Sequence, residues 1–528
     1  MKRIALVFVA SLLLLLVSGI VVLLWRRWYR DDAQNIVRRV LKNSAVTFVV
    51  RLIVRGLEFG FALVLYGLLT PEEIGPYTLA ALLVAQYLGT FTEFGLGVLL
   101  TREAAKDMDG APRLFGLALT LRWLCVVGAV PIAAAIIGIY SLLGSLGIGE
   151  AITPVGQQVI WVLLLTLVPS AYSGGVTALY QAAERMEVPA LVELVTAVLS
   201  VLLRITLLLL GFGILGLAWS AVIISTGTAL VYLVLQTRDF FRPTLHWDRG
   251  MIWSLVPLAL PLMLNNLLNV VFFRFDMFII KAFGEGQGDT LVQQYAIAYQ
   301  FINIALVLPP VITFAVFPLL ARWAASEREK LARAQNHTLS ALLLLAFPIA
   351  MGLSVLAPQL IMLMTRENAP AYLPISAHVL AILAWFLPLS FVNGLLQYVL
   401  IAINQQWLIT RAFGVGALFN LVANLLFIPW FGLYAASGIT ILSEVVLFVV
   451  FLPLLRREGL APPLAALAWR PGLATLAMGG AMLLAGLWGG VAAVAVAAPV
   501  YGLMLWLLGA VGPQERELFW RVFRRGGG

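Results

Sequence analysis

The sequence predicts an all-α polytopic membrane protein: two pseudo-symmetric six-helix bundles enclosing a central cavity, with one extra helix before them and two after. Three observations predict it. Hydrophobic residues make up 62% of the 528-residue chain, charged residues only 11%, and the mean hydropathy is +1.00. Soluble chains carry roughly 25% charged residues, and a chain this apolar could not cover its surface in water. Largely apolar stretches of about 20 residues, long enough to cross a bilayer as helices, occur fifteen times. Finally, the two halves of the chain resemble each other in order and spacing.

The spans fall near 4–25, 43–69, 75–100, 114–143, 157–180, 188–210, 214–236, 252–283, 291–321, 336–364, 373–401, 407–429, 432–455, 470–488 and 490–510. Lys2-Arg3 and then Arg26, Arg27 and Arg30 flank the first, without the small residues of a cleavage site, so it reads as a retained anchor. External connections such as TPEEIGPY (70–77), GFG (211–213) and PWFG (429–432) are too short for a folded domain. GFGILG (211–216) has the spacing of a dinucleotide loop, but it follows a membrane span rather than a strand and reads as a hairpin turn. One cysteine, Cys125, excludes a disulfide, and His246, His337 and His378 are too scattered for a local metal pattern. There is no Walker loop and no nucleophile elbow, so no cofactor is expected.

Charge placement sets the orientation. With the segment after the first span in the cytoplasm, roughly 25 of the 34 basic residues fall on that side and about four outside. The N-terminus is then external and the C-terminus cytoplasmic. The +9 net charge is explained without nucleic acid.

The repeat is read from three matches. EIGPYTLAALLVAQYLGTF (73–91) pairs with LVQQYAIAYQFINIALVLP (291–309), AERMEVPALVELVTAVLSVLL (183–203) with NQQWLITRAFGVGALFNLVANLL (404–426), and FGILGLAWSAVI (212–223) with FGLYAASGITIL (431–442). They divide the chain into an anchor and basic segment (1–42), a first bundle (43–236), a cytoplasmic linker (237–251), a second bundle (252–455), and two further spans with a basic tail (456–528). A parallel duplication of this kind relates the halves by an axis along the membrane normal.

Four stretches carry a family resemblance: YGLLTPEEIGPYTLA (66–80), TEFGLGVLLTREAAK (92–106), FRFDMFIIKAFGEG…VQQYAIAYQ (273–300) and FNLVANLLFIPWFGLYAASGITILSE (419–444). Together, in this order, they resemble the polysaccharide-lipid (O-antigen and exopolysaccharide) flippases of the multidrug/oligosaccharidyl-lipid/polysaccharide exporter superfamily, over about residues 43–455. The resemblance implies a V-shaped transporter that alternates between inward- and outward-open states. It also implies an undecaprenyl-pyrophosphate-linked oligosaccharide as cargo, no catalytic residues, ion-gradient coupling and a place in the cytoplasmic (inner) membrane. Glycan-assembly membrane proteins are candidate partners besides the lipid bilayer. Three alternatives stay open: a murein-precursor flippase, which also carries two extra C-terminal spans, a multidrug/cation antiporter, and, less favoured, a glycan polymerase or ligase.

Within that frame the intramembrane charges are the candidate site. Arg51, Arg55 and Glu58, at i, i+4 and i+7, share one helical face. The planar fork of arginine suits a pyrophosphate, with Glu58 as a cavity or ion-coupling carboxylate. The competing readings are an ion pair that pins the helix to its neighbours and, for Arg51, snorkelling to the cytoplasmic face near the helix start. In the second half, Asn265, Asn269 and Asp276 are expected on one lining face, with Arg274 at the cavity edge or paired to a neighbouring helix, and Lys281 near the outer boundary, guiding cargo or snorkelling. Glu93, in TEFGLG, reads as a structural anchor or a cavity carboxylate. Glu193 and Arg204 are expected to pair, and Asn420 and Asn424 to bond across helices.

Overall fold

In the computed structural model, residues 36–324 and 327–509 are described, with side chains from residue 49 onward. The expected first span at 4–25 and the basic tail after 509 lie outside the described residues. Among the described residues every regular element is helical: α1 Ile36–Leu68, α2 Pro71–Ala81, α3 Gly89–Glu93, α4 Leu96–Lys106, α5 Ala111–Ser145, α6 Pro154–Leu164, α7 Leu167–Ala182, α8 Glu187–Leu209, α9 Gly213–Asp239, α10 Arg249–Arg274, α11 Asp276–Ala282, α12 Gly288–Ala305, α13 Leu308–Ala324, α14 Arg328–Val355, α15 Ala357–Thr365, α16 Ala369–Tyr372, α17 Ile375–Leu383, α18 Phe386–Ala402, α19 Gln406–Arg457, α20 Leu464–Gly486 and α21 Gly490–Leu507, with a π-helical turn at Leu82–Leu88 and a 3-10 turn at Arg366–Asn368. Eleven helices among the described residues are long and apolar enough to cross a membrane. The chain is therefore a multi-pass membrane protein.

α19 counts as two passes. Gly432 sits inside it at φ 55°, ψ −135°, outside the helical region, and the Asn420 side chain donates to the Ser443 hydroxyl at 3.0 Å. In a straight helix, residues 23 apart would be roughly 35 Å apart, so the chain folds back at the expected PWFG turn. The GFG turn is likewise a tight connection, with Gly211 and Gly213 at φ 84° and 56°.

The helices group into two compact units. One holds the chain up to Val270 with Lys281–Gln293; the other holds Val271–Ile280 and the chain from Gln294 onward.

In the first unit, α2 starts inside the expected 70–77 loop because the local chemistry is a helix start. Thr70 caps the Glu73 amide, Glu73 accepts from the Thr70 amide at 2.7 Å, and Pro71 occupies the first turn. The pass from Pro71 to Lys106 is not a uniform helix. After the π turn and α3, Phe94 and Gly95 adopt left-handed φ values of 54° and 69° before α4 begins. A β-carbon on Gly95 would lie 2.7 Å from the Ala259 carbonyl oxygen, and one on Gly75 only 2.0 Å from that of Asp289. Leu117, Ala118, Leu121 and Cys125 of α5 join Ile252, Leu255, Ala259 and Met263 of α10 in one buried cluster around this break.

In the second unit the predicted span 252–283 is interrupted: α10 ends at Arg274 and α11 begins at Asp276. α12 and α13 are separated just before Pro309 and Pro310, because proline cannot donate into the helix ladder. The C-terminal hairpin α20–α21 packs Met478, Met482 and Ala493 against Met351 and Val355 of α14, and the Tyr501 hydroxyl donates to the Leu344 carbonyl at 2.9 Å.

The glycine at the break gives the first test. Gly95→Ala forces a methyl group against the α10 backbone at a positive φ, which overpacking places at about 1–3 kcal/mol. Gly56→Ala, on α1 with nothing within 4 Å of a new β-carbon, is the control. Thermal unfolding in detergent should show a lowered midpoint for the first variant and an unchanged or raised one for the second.

Candidate functional site

A break inside a membrane-crossing helix leaves backbone N–H groups that neither the helix nor lipid can satisfy. Here Glu93 satisfies them. Its Oε2 accepts from the Gly95 amide at 2.7 Å and its Oε1 from the Gly97 amide at 2.6 Å. Behind it stands Arg122 of α5, 1% exposed, with Nη2 3.4 Å from Glu93 Oε1 and Nη1 donating to the Ala171 carbonyl at 2.9 Å. A β-carbon at Gly174 would reach to 3.1 Å of that guanidinium, so this glycine leaves it room. One buried arginine thus joins α5, α7 and the interrupted pass.

The front of the break opens on a cavity of about 490 Å³. Ala85, Gly89, Thr90 and Glu93 form one wall, and Asn265, Asn266, Asn269 and Val270 of α10 the other. The first wall includes part of the π turn, a local geometry frequent at functional sites. Asn266 and Asn269 are exposed on a helix that is otherwise largely apolar. Amides facing hydrocarbon would be costly, so this part of α10 faces water.

The α1 stripe divides. Val50 packs with Ala190 and Leu194 of α8, while Arg51 and Arg55 are exposed and neither forms an ion pair with a described residue. Glu58 is engaged elsewhere: its two oxygens accept from Arg204 of α8 at 2.6 and 3.1 Å, and the Arg204 guanidinium lies 4.3 Å over the Phe61 ring. The expected Glu193–Arg204 pair is replaced by Glu58–Arg204. Here the pinning reading describes the carboxylate but not the two arginines.

The α10–α11 residues also separate. The expected continuous face from Asn265 to Asp276 does not form, because the helix stops at Arg274 and restarts at Asp276. Asp276 is 1% exposed, accepts from the Tyr295 hydroxyl at 2.6 Å, and takes the Met277 amide at 2.9 Å. Arg274 lies 4.2 Å over the Tyr299 ring and donates to Asn303 Oδ1 at 3.4 Å. Lys281, expected near an open boundary, is fully enclosed. Its ammonium contacts Glu150 at 2.5 Å and Asp289 at 3.0 Å, and Glu150 also accepts from the Gly288 amide at 2.7 Å. Its charge is thereby neutralised inside the first unit. Glu150 and Asp289, absent from the sequence-based candidates, also border a larger cavity of about 740 Å³ together with Glu72 and Glu73.

In the second unit Asn424 donates to Asn420 Oδ1 at 2.8 Å along one helix, and only Asn420 reaches across, to Ser443. Glu444, fully buried, accepts from Asn393 at 2.6 Å. Among the described residues no group of three or more His, Cys, Asp or Glu side chains is placed to hold a metal.

Three comparisons bear on this architecture. A family model described as "polysaccharide biosynthesis protein" matches residues 64–368, more than half of the chain. Two relatives from Haloferax volcanii match: the probable flippase AglR at 26% identity over 49% of this chain and 53% of its own length, and the probable low-salt glycan biosynthesis flippase Agl15 at 25% over 29% and 32%. The chain therefore spans about half of one curated relative and a third of the other. Among solved structures, the lipid II flippase MurJ in an inward closed conformation matches with a TM-score of 0.68 at 13% identity, over 88% of this chain and 98% of that one. An inward-facing multidrug-resistance transporter of the MATE family matches with a TM-score of 0.61 at 18% identity, over 78% and 98%. These two likenesses show the fold.

The Lys281 cluster supplies a stability test. Lys281→Met leaves Glu150 and Asp289 facing each other without their cation, and removing one partner from a buried ion pair costs about 3–5 kcal/mol. The variant should give little monodisperse protein in detergent, and adding Glu150→Gln should recover part of it. An unchanged melting midpoint for Lys281→Met would contradict the assignment.

Proposed function

The chain belongs to the polysaccharide biosynthesis protein family, and from that membership we propose that it is a flippase carrying a lipid-linked oligosaccharide from the cytoplasmic to the outer leaflet by alternating access. The observation that carries this reading is Arg55: a guanidinium on a membrane-length helix, exposed, with its stripe-mate Glu58 already taken by Arg204. Such a cation needs an anion or water. Arg51 and Arg55, one turn apart, form a two-pronged clamp for the pyrophosphate of an undecaprenyl carrier, because the guanidinium keeps its charge and binds phosphate oxygens in pairs. Asn265 and Asn269 contact the uncharged part of the head group.

The energetics divide the cycle. In an inside-negative membrane, each negative charge carried outward is favoured by roughly 2.3 kcal/mol per 100 mV. The reset returns an empty cationic clamp inward, a direction the same potential favours, and a proton or sodium ion carried inward on a membrane carboxylate adds to that driving force. Asp276 is the best candidate, because no described basic group lies within salt-bridge distance of it, whereas Glu58 is neutralised by Arg204. The proposed location is the cell membrane, with the N-terminus outside and the C-terminus in the cytoplasm.

The test is an export assay in the native host. Arg55→Ala at normal protein level should accumulate lipid-linked glycan on the cytoplasmic face and reduce surface glycan at least tenfold, and Arg55→Lys should recover only part, since lysine offers a point charge in place of a fork. Overexpression should confer no resistance to cationic drugs. Normal surface glycan in Arg55→Ala cells, or drug resistance on overexpression, overturns the reading.

A further inference from the structure

We propose that the cavity at the break between α3 and α4 is a saccharide subsite, taking neutral, hydroxyl-rich sugar units of the cargo and separate from the arginine clamp on α1; the assignment rests on the flippase reading above. Its volume of about 490 Å³ lies within the ~300–1,000 Å³ usual for small-molecule sites. Its polar lining suits sugars rather than phosphate. Among the described residues the cavity walls carry no arginine or lysine. They present the amides of Asn266 and Asn269, the Thr90 side chain and the Glu93 carboxylate.

Each of these groups has hydrogen-bonding capacity to give. Asn266 and Asn269 are three apart, on one face of α10, and neither side chain bonds to a described residue. An amide offers two donors and an acceptor in one plane, which matches vicinal hydroxyls that both donate and accept. Glu93 is the fixed acceptor opposite them. Its Oε2 holds one protein donor, the Gly95 amide, and keeps a lone pair for a hydroxyl. The two backbone amides and Arg122 hold the carboxylate rigidly, so a hydroxyl that bonds it meets a preorganised partner. A carboxylate on this wall, with its counter-charge Arg122 behind it rather than among the lining residues, also disfavours acidic sugars at this position.

The test separates the subsite from the clamp. Wild-type protein and Asn266→Leu/Asn269→Leu, in nanodiscs, are titrated with undecaprenyl pyrophosphate bearing no sugar and with the same lipid bearing chitobiose. Leucine keeps the side-chain volume close, and a melting curve checks that the variant is folded. The wild type should bind the sugar-bearing lipid at least tenfold more tightly than the bare one. The double variant should lose that difference while binding the bare lipid as the wild type does. A variant that keeps the preference, a variant that weakens both lipids equally, or a wild type without preference each overturns the subsite. If the wild type binds neither lipid, the flippase reading falls, and the subsite with it.

Discussion

The two bonds by which Glu93 closes the gap at Phe94–Gly95 are the contacts on which the first unit depends. Hydrocarbon offers no partner for a freed amide, so a helix can be interrupted inside a membrane only where side chains replace the missing backbone bonds. Glu93 supplies two such bonds, but a carboxylate in that position needs its own counter-charge. Arg122 provides it from α5, and the guanidinium in turn holds the Ala171 carbonyl of α7. One broken helix therefore organises three passes. The opening in front of the break exists because the backbone behind it is closed.

Similar logic recurs where charge enters the apolar interior. Asp276 takes the Met277 amide at the start of α11, and Glu150 takes the Gly288 amide at the turn before α12 while neutralising Lys281. In each case a carboxylate serves a backbone group at a helix end as well as a side chain. Such sites tolerate little substitution, since removing either partner strands a buried polar atom. Arg51 and Arg55 are the contrast: both are exposed, and no carboxylate of a described residue pairs with them. In the proposed function, the difference between a spent charge and an available one is what separates scaffold from site.

The two cavities of the first unit divide along the same line. One is bordered by four carboxylates, two of them already committed to Lys281 and Gly288. The other is bordered by Asn266 and Asn269, whose amides bond no described residue, and by a single carboxylate held from behind. Under the proposed function, a cargo that joins a dianionic linker to a chain of hydroxyls requires two chemistries, and the arginine pair on α1 and the amide wall on α10 are proposed to supply one each.

Solvent, class and most helices were determined by the sequence alone, because those properties follow from composition and from the length of apolar runs. The fourteen predicted spans from residue 43 onward all fall on helices, and the turns at GFG and PWFG are marked by glycines that have the required positive φ. Glu93, Asn265 and Asn269 were legible as candidates because a polar residue in an apolar run is conspicuous. The pairing of these residues was decided by tertiary structure. Spacing along one helix placed Glu58 beside Arg55, yet Arg204, 146 positions away, claims it; the face drawn from Asn265 to Asp276 assumed a helix that breaks at Phe275; and Lys281 looked open because Glu150 lies 131 residues away. Helical periodicity says which residues share a face, and only packing says which charge on a neighbouring helix reaches that face first.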